Sequence, residues 1–455
     1  MRSVVVIDVV GLTARDLALA PRIAAVARTG FQAVLDPVFP AVTCSVQASM
    51  LTGLPPAGHG VVGNGWYFRD LAQVLFWRQS NQLVQGEKVY QTGKRRDPAF
   101  TCAKLFWWFN MYSAADVAVT PRPAYPADGR KIPDLYSAPA ELAPQLQQEL
   151  GPFPLFQFWG PGAGLPATRW IVNSALRCLD RFAPTLTLVY LPHLDYDHQR
   201  FGPDHPRSRE AVREVDAEAG RLIDAARGRG AEVVVLSEYG ITPVTRPVLL
   251  NRVLREHGLL RVQDTCHGEL LDAGACRAFA VADHQAAHVY GAEPKDLAAT
   301  ADLLRQVPGV AAVLDRAAQQ ALGVAHERAG ELVCLAQRDA WFAYPYWLEE
   351  ARRPDFATTV DIHRKPGYDP VELLLDPKLR LPRLRIASRL LRKALGFRYL
   401  MDVISTDATL IKGSHGLLPE RDQDAPVFLC SNPRGMQARV AATQVKERLL
   451  DLVFA

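Results

Sequence analysis

Three stretches, "TLTLVYLP" at 185–192, "SREAVREVDAEAGRLIDAARGRG" at 208–230 and "AEVVVLSEYG" at 231–240, decide the fold. The first and third are apolar runs rich in β-branched residues, the pattern of strands covered on both faces. Between them Val212, Val215, Ala219, Leu222, Ile223 and Ala226 recur at helical spacing, and the pattern closes on Gly228 and Gly230. Strand, helix and strand in that order predict a right-handed parallel crossover, and with it an α/β fold built on a mostly parallel sheet. "SVVVIDVV" at 3–10 reads as a further buried strand. Asp8 inside that run fits a strand rather than the apolar stretch of an export signal.

At 455 residues the chain exceeds the size, about 250–300 residues, at which one core normally stops growing, so a smaller second unit is expected. The pattern changes where it should. From 255 to 375 short strands and helices alternate, including "RAFAVADHQAAHVYG" and "GELVCLAQRDAWFAYPYW". We expect a core of residues 1–254 and 376–455 with an inserted α+β cap over 255–375. Apolar residues make up 49% and charged residues 22%, as in ordinary globular enzymes, and no window reaches the roughly 18 apolar residues of a spanning helix. Seven cysteines without a CxxC pair fit a reducing cytoplasm. A net charge of +4, from 52 basic and 48 acidic residues, gives no signal for nucleic acid.

One local charge run stands out. "PKLRLPRLRIASRLLRKALGFR", residues 377–398, holds eight Lys/Arg and no acid, and Leu384, Ala387, Leu390, Leu391, Ala394 and Leu395 share a helical face. A basic solvated helix packed on the core is the expected form, with a membrane-surface or anionic-partner helix as the alternative.

In parallel α/β sheets, sites form outside the carboxyl ends of the strands. Those ends carry Asp8, the cluster "HLDYDHQ" at 193–199, and Glu238 with Tyr239. A single carboxylate there can be a loop cap or an ion-pair member; three strands ending this way point to a shared cation site. The stretch "FPAVTCSVQASMLTGLPPAGHGVVGN", Phe39 to Asn64, adds hydroxyls before a helical run. Thr43 there can cap the helix or, close to its exposed N–H groups, ionise and act as a nucleophile.

The Phe39–Asn64 stretch resembles the nucleophile segment of the nucleotide pyrophosphatase/phosphodiesterase family, in the alkaline phosphatase superfamily. Four further blocks resemble that family in its order: "VVVIDVVGL", "LDYDHQRFGPD", "VVVLSEYGI" and "KGSHGLLP". The resemblance implies an alkaline-phosphatase-like core. It assigns Thr43 as nucleophile and metal contact, and Asn64 with the N–H of Cys44 as partners of a phosphoryl oxygen. It also implies two divalent metals, usually zinc, with Asp8, Thr43 and Glu238 at one and Asp195, Gln199 and His415 at the other.

This chain departs from the family where Gln199 and Tyr239 stand in place of histidines and Glu238 in place of an aspartate. Carboxylate and carbonyl oxygens suit Mg²⁺ or Mn²⁺ better than Zn²⁺. His198, Tyr239 and His363 are the candidate replacement ligands. The implied activity is hydrolysis of phosphodiester or pyrophosphate bonds in a small-molecule substrate through a phospho-threonine intermediate. Phosphonate or phosphomonoester hydrolysis, phosphoryl transfer, and a non-catalytic relative binding a phosphorylated ligand or a partner protein are the alternatives. Trp66, Trp107, Trp108 and Trp159 are expected either to wall a pocket, with Trp66 on the substrate, or to fill cores.

Overall fold

The computed structural model describes residues 1–127, 131–291 and 294–455. A nine-stranded sheet crosses the molecule in the order Arg439–Ala441, Phe31–Asp36, Val427–Cys430, Glu232–Leu236, Val4–Val9, Leu186–Leu191, Cys102–Leu105, Val117–Pro121 and Leu135–Ala138. Val4–Val9 lies at its centre and pairs in parallel with both Leu186–Leu191 and Glu232–Leu236. Only Val427–Cys430 and Leu135–Ala138 run against the rest. The expected crossover helix spans Pro206–Gly228, and Val212, Val215, Ala219, Leu222, Ile223 and Ala226 are all buried on its inner face. Every residue of Val4–Val9 and Leu186–Leu191 is buried, as their largely apolar sequences lead one to expect, Asp8 and Thr187 included.

Between the last two stretches of core, a four-stranded antiparallel sheet forms in the order Ala278–Asp283, Ala286–Gly291, Leu332–Ala336, Val310–Leu314. Helices Pro294–Arg305 and Arg316–Ala321 accompany it. Its apolar core also takes in Phe39, Cys44, Val61, Val62, Trp66 and Phe76, so the loop after Asn64 packs on this second unit. The two units thus share a seam along Phe39–Phe76, a stretch that includes Thr43 and Asn64.

The basic segment departs from its expected packing. A helix does form, Pro382–Ala394, but its leucine face is turned away from the body: Leu384, Leu391 and Leu395 are 60–63% exposed. Ile386 is on the inner side against a small cluster with Val371, Val403 and Ile404, and Arg385 and Arg389 both pair with Asp402. No helix among the described residues is long and apolar enough to cross a membrane. The seven cysteines form no disulfide.

Candidate active site

Thr43 opens a helix, Thr43–Thr52, in which all ten residues are buried. The hydroxyl does not cap it. Val42 occupies the capping position with no side-chain hydrogen bond, which corrects the capping alternative. Instead Thr43 Oγ1 lies 2.9 Å from the phenol oxygen of Tyr239, and that phenol donates to Asp195 Oδ1 at 3.4 Å. The neighbouring hydroxyl, Ser45, is used structurally and donates to the carbonyl of Val61. Thr43 is therefore the one residue of the Thr-Cys-Ser run whose side chain turns toward the strand ends.

The helix also carries Gln47, one turn after Thr43, which sequence reasoning passed over. Its amide donates to Glu238 Oε1 at 2.6 Å and to Asp8 Oδ2 at 3.4 Å, and its carbonyl oxygen accepts from the Trp108 N–H at 2.8 Å. Asp8 and Glu238 are completely buried side by side. Burial, and for Glu238 the neighbouring charge, pushes both carboxyls above the usual range. Asp8 Oδ1 and Glu238 Oε2 meet no donor among the described residues.

The second expected set gathers on the other side of Tyr239. Asp195 and Gln199 come from the helix His193–Phe201, one turn apart and on one face. His415 donates from Nδ1 to the Ala41 carbonyl at 2.9 Å, which leaves Nε2 without a hydrogen, 3.9 Å from Asp195 Oδ1. Gly413 makes this approach feasible: a Cβ there would stand 2.2 Å from the His198 carbonyl oxygen. Desolvation raises the Asp195 carboxyl to about 7.

Four rings stack through this region. Tyr239 lies flat on His415 at 3.5 Å and 6°, His415 meets His284 at 3.7 Å, and His284 meets Tyr368 at 3.7 Å. Tyr368 then donates to Gln199 Oε1 at 3.0 Å. Tyrosine at 239 is thus accommodated as a stacking partner, with its hydroxyl placed between Thr43 and Asp195.

Asn64 and Cys44 meet as expected, but on each other: the Cys44 N–H donates to Asn64 Oδ1 at 3.0 Å. Asp283 completes the arrangement by accepting from Asn64 N–H at 2.7 Å and from Asn64 Nδ2 at 3.1 Å. His284, beside it, holds a positive φ of 61° and bonds Asp283 through Nδ1 at 2.8 Å. The pair stands in the sequence as the Asp-His of "AVADHQAAH", inside the inserted segment.

Three expected residues do not join. His198 turns toward Gly11 and Ile241, and neither ring nitrogen has a partner; it lies about 60° round the helix from Asp195 on one flank, while Gln199 lies about 40° away on the other. Trp66 is buried in the core of the second unit, stacked on Phe68 under Arg328, and does not line the cavity. His363 lies exposed at the rim of that cavity.

The cavity itself measures about 1010 Å³, with Thr43, Asp195, Tyr239 and His284 in its wall. Trp77, Trp108, Trp159 and Tyr368 make the remainder largely aromatic, and Arg78, Arg122, Lys131 and Lys393 add charge. Trp107 is a core residue. The Trp108 loop is fixed from behind by Lys104, completely buried, whose ammonium donates to the carbonyls of Trp108 and Phe109 at 2.7 and 2.9 Å.

Among the described residues no three of His, Cys, Asp or Glu converge as a metal-ligand group. The Asp8–Glu238 pair with the Thr43 hydroxyl nevertheless fits one hard divalent cation, since two buried carboxylates each keep an oxygen without a donor. The Asp195 side offers one carboxylate and one imidazole nitrogen, short of the three protein ligands usual for catalytic zinc. The donor set therefore fits one ion better than the expected two.

A family model described as type I phosphodiesterase / nucleotide pyrophosphatase matches residues 4–369. An uncharacterised pyrophosphatase/phosphodiesterase of Schizosaccharomyces pombe is 23% identical over 247 residues, 53% of this chain and 44% of that protein. The chain thus spans less than half the length of that relative. Among solved structures, murine ectonucleotide pyrophosphatase/phosphodiesterase 5, in an inactive threonine-to-alanine form with AMP, has a TM-score of 0.60 at 14% identity, covering 100% of this chain and 95% of the other. Phosphonoacetate hydrolase from Sinorhizobium meliloti, in complex with phosphonoformate, has a TM-score of 0.61 at 14% identity, covering 99% and 96%.

Proposed function

Because the chain belongs to the type I phosphodiesterase / nucleotide pyrophosphatase family, we propose that it is a hydrolase of phosphodiester or pyrophosphate bonds, with Thr43 as nucleophile. The observation that carries this reading is the Thr43 hydroxyl, free of any capping duty, in the cavity wall and 2.9 Å from Tyr239.

A threonine hydroxyl is a weak nucleophile until its proton has somewhere to go. Here the route is Thr43 to the Tyr239 oxygen, with Tyr239 passing its own proton to Asp195. Thr43 Oγ1 forms the new bond to phosphorus, the ester or anhydride bond to the leaving group breaks, and the phosphoryl group rests on Thr43. Water then attacks phosphorus as the bond from Thr43 Oγ1 to phosphorus breaks; the water's surplus proton goes to the released leaving group or to solvent, and the threonine oxygen recovers its proton from Asp195 along the same route. The Cys44 N–H, on exchanging Asn64 Oδ1 for substrate, and the second hydrogen of the Asn64 amide would stabilise the charge developing on phosphoryl oxygens, Asn64 being oriented by Asp283. A divalent cation held by Asp8, Glu238 and Thr43 would supply charge neutralisation at the attacking oxygen.

The neighbour solved with AMP is inactive once a threonine becomes alanine, which is the behaviour expected of Thr43→Ala here. The cavity's aromatic wall suits a leaving group with a flat or apolar portion. A second reading, a non-catalytic relative that binds a phosphorylated ligand, is favoured by the mutual hydrogen bond of Cys44 and Asn64 and by the sparse donor set. Hydrolysis assays on nitrophenyl diesters and dinucleoside pyrophosphates, with Mg²⁺, Mn²⁺ or Zn²⁺ added to metal-stripped protein, separate the two. Turnover lost in Thr43→Ala supports the enzyme. Tight AMP binding without turnover under any ion supports the alternative.

A further inference from the structure

The helix Pro382–Ala394 presents an apolar face that none of the described residues covers. Leu384, Leu391 and Leu395 follow at intervals of seven and four residues, so they fall on one line along the helix. Their exposures are 63%, 60% and 63%, and Leu381 and Phe397 at either end are 64% and 61% exposed. A folded surface scatters single apolar residues, but five large ones this exposed within one 17-residue stretch, 381–397, three of them on one helical line, mark an interaction face.

The charge around that line is of one sign. Arg385 and Arg389, on the inner flank, are neutralised by Asp402. Arg380, Arg383, Arg392 and Arg398 have no carboxylate partner among the described residues, and the segment 377–398 contains no acid of its own. A leucine line edged by arginines has the composition of a helix that lies in the interfacial plane of a membrane: leucines enter the acyl boundary while guanidinium groups meet anionic headgroups. At 13 residues the helix is about 20 Å long, too short to span a bilayer.

We propose that this face docks on an anionic lipid surface. The position of the helix gives the contact a purpose. Leu390 and Lys393 of the same helix, and Tyr399 and Met401 just after it, line the cavity that holds Thr43. Seated on a bilayer, the leucine line brings that part of the cavity wall to the membrane. Joined to the hydrolase reading above, on which this step alone rests, the substrate class is a phosphorus ester with an apolar tail, drawn from the membrane into the aromatic cavity.

Docking is tested without reference to catalysis. The full chain is sedimented with vesicles of phosphatidylcholine alone and with vesicles in which about one lipid in three is phosphatidylglycerol. Binding should favour the anionic vesicles by roughly tenfold or more and weaken as salt rises. The variant Leu384→Glu/Leu391→Glu/Leu395→Glu removes the apolar line at positions outside the cavity wall. It should retain its circular dichroism spectrum and its rate on a soluble diester while losing vesicle binding by about tenfold or more. Arg383→Gln/Arg392→Gln should lose the preference for anionic vesicles.

No vesicle binding by the wild type, or undiminished binding by the leucine variant, overturns the proposal. So does a stable dimer of the wild type that the leucine variant abolishes, since a second copy would then cover the face, or saturable binding to an acidic protein with none to vesicles. Vesicle binding with no activity on any ester would leave docking standing and remove the hydrolase reading.

Discussion

Thr43, Tyr239 and Asp195 form a chain of oxygens, and each link has its own expected consequence. Tyr239→Phe keeps the ring that stacks on His415 and deletes only the hydroxyl. Its stability should fall by about 1 kcal/mol at most, while turnover drops by ~10²-fold or more, the usual worth of a positioned proton acceptor. Equal turnover in wild type and Tyr239→Phe, measured under saturating substrate, would remove the phenol from the proton route. Asp195 must be ionised to take the proton, and burial raises its carboxyl to about 7. The rate should therefore climb as pH rises through about 7, with an acidic limb that Asp195→Asn abolishes along with most activity. A flat profile from pH 5 to 8 would contradict the assignment.

At the scale of elements, the strand ends were legible because parallel sheets leave few other places for acidic residues between apolar runs. Asp8 and Glu238 could be read as neighbours once both strands were seen as central. Their bridge, Gln47, could not, because a glutamine inside an all-buried helix carries no pattern of its own. His198, a candidate replacement ligand, stands aside for a geometrical reason: it lies about 60° from Asp195 on one flank of the helix and Gln199 about 40° on the other, so the two flank residues point about 100° apart.

The carboxylate pair also dictates how stability depends on pH. Both groups have folded values raised above their unfolded ones near 4, so the protonated forms favour the fold. Metal-stripped protein should lose stability as pH rises from about 4 through neutrality. Mg²⁺ or Mn²⁺ should restore the loss at pH 8, and Glu238→Gln should flatten the pH dependence and weaken the response to the ion. Thermal unfolding of both proteins across that range, with and without the ion, measures all three. An unchanged melting temperature on adding any divalent ion would remove the cation from Asp8 and Glu238.

Across the whole molecule, the α/β core and the position of the second unit followed from the periodicity of "TLTLVYLP", the crossover helix and "AEVVVLSEYG". What they did not convey is the seam. Phe39, Val61, Trp66 and Phe76 are core-segment residues in sequence yet pack with the cap, because a buried aromatic reads alike whichever unit it fills. The same ambiguity placed Trp66 on the substrate and left Trp77, which lines the cavity, unremarked. Asp283 and His284 reach the site across this seam from the inserted unit, so no local pattern around Thr43 could have announced them. Their contact predicts that Asp283→Ala frees Asn64 from its orientation. Substrate turnover should fall by ~10-fold or more, with a stability loss of about 1–3 kcal/mol from the unpaired buried amide, both measurable on one preparation.

The most direct measurement is to quench the protein in acid during turnover of a diester labelled on phosphorus and to map its peptides by mass spectrometry. The expected result is a phosphoryl group on Thr43, absent from Thr43→Ala, which should also have lost turnover. Label on another residue, or full turnover by Thr43→Ala with no label on any peptide, would contradict Thr43 as the nucleophile.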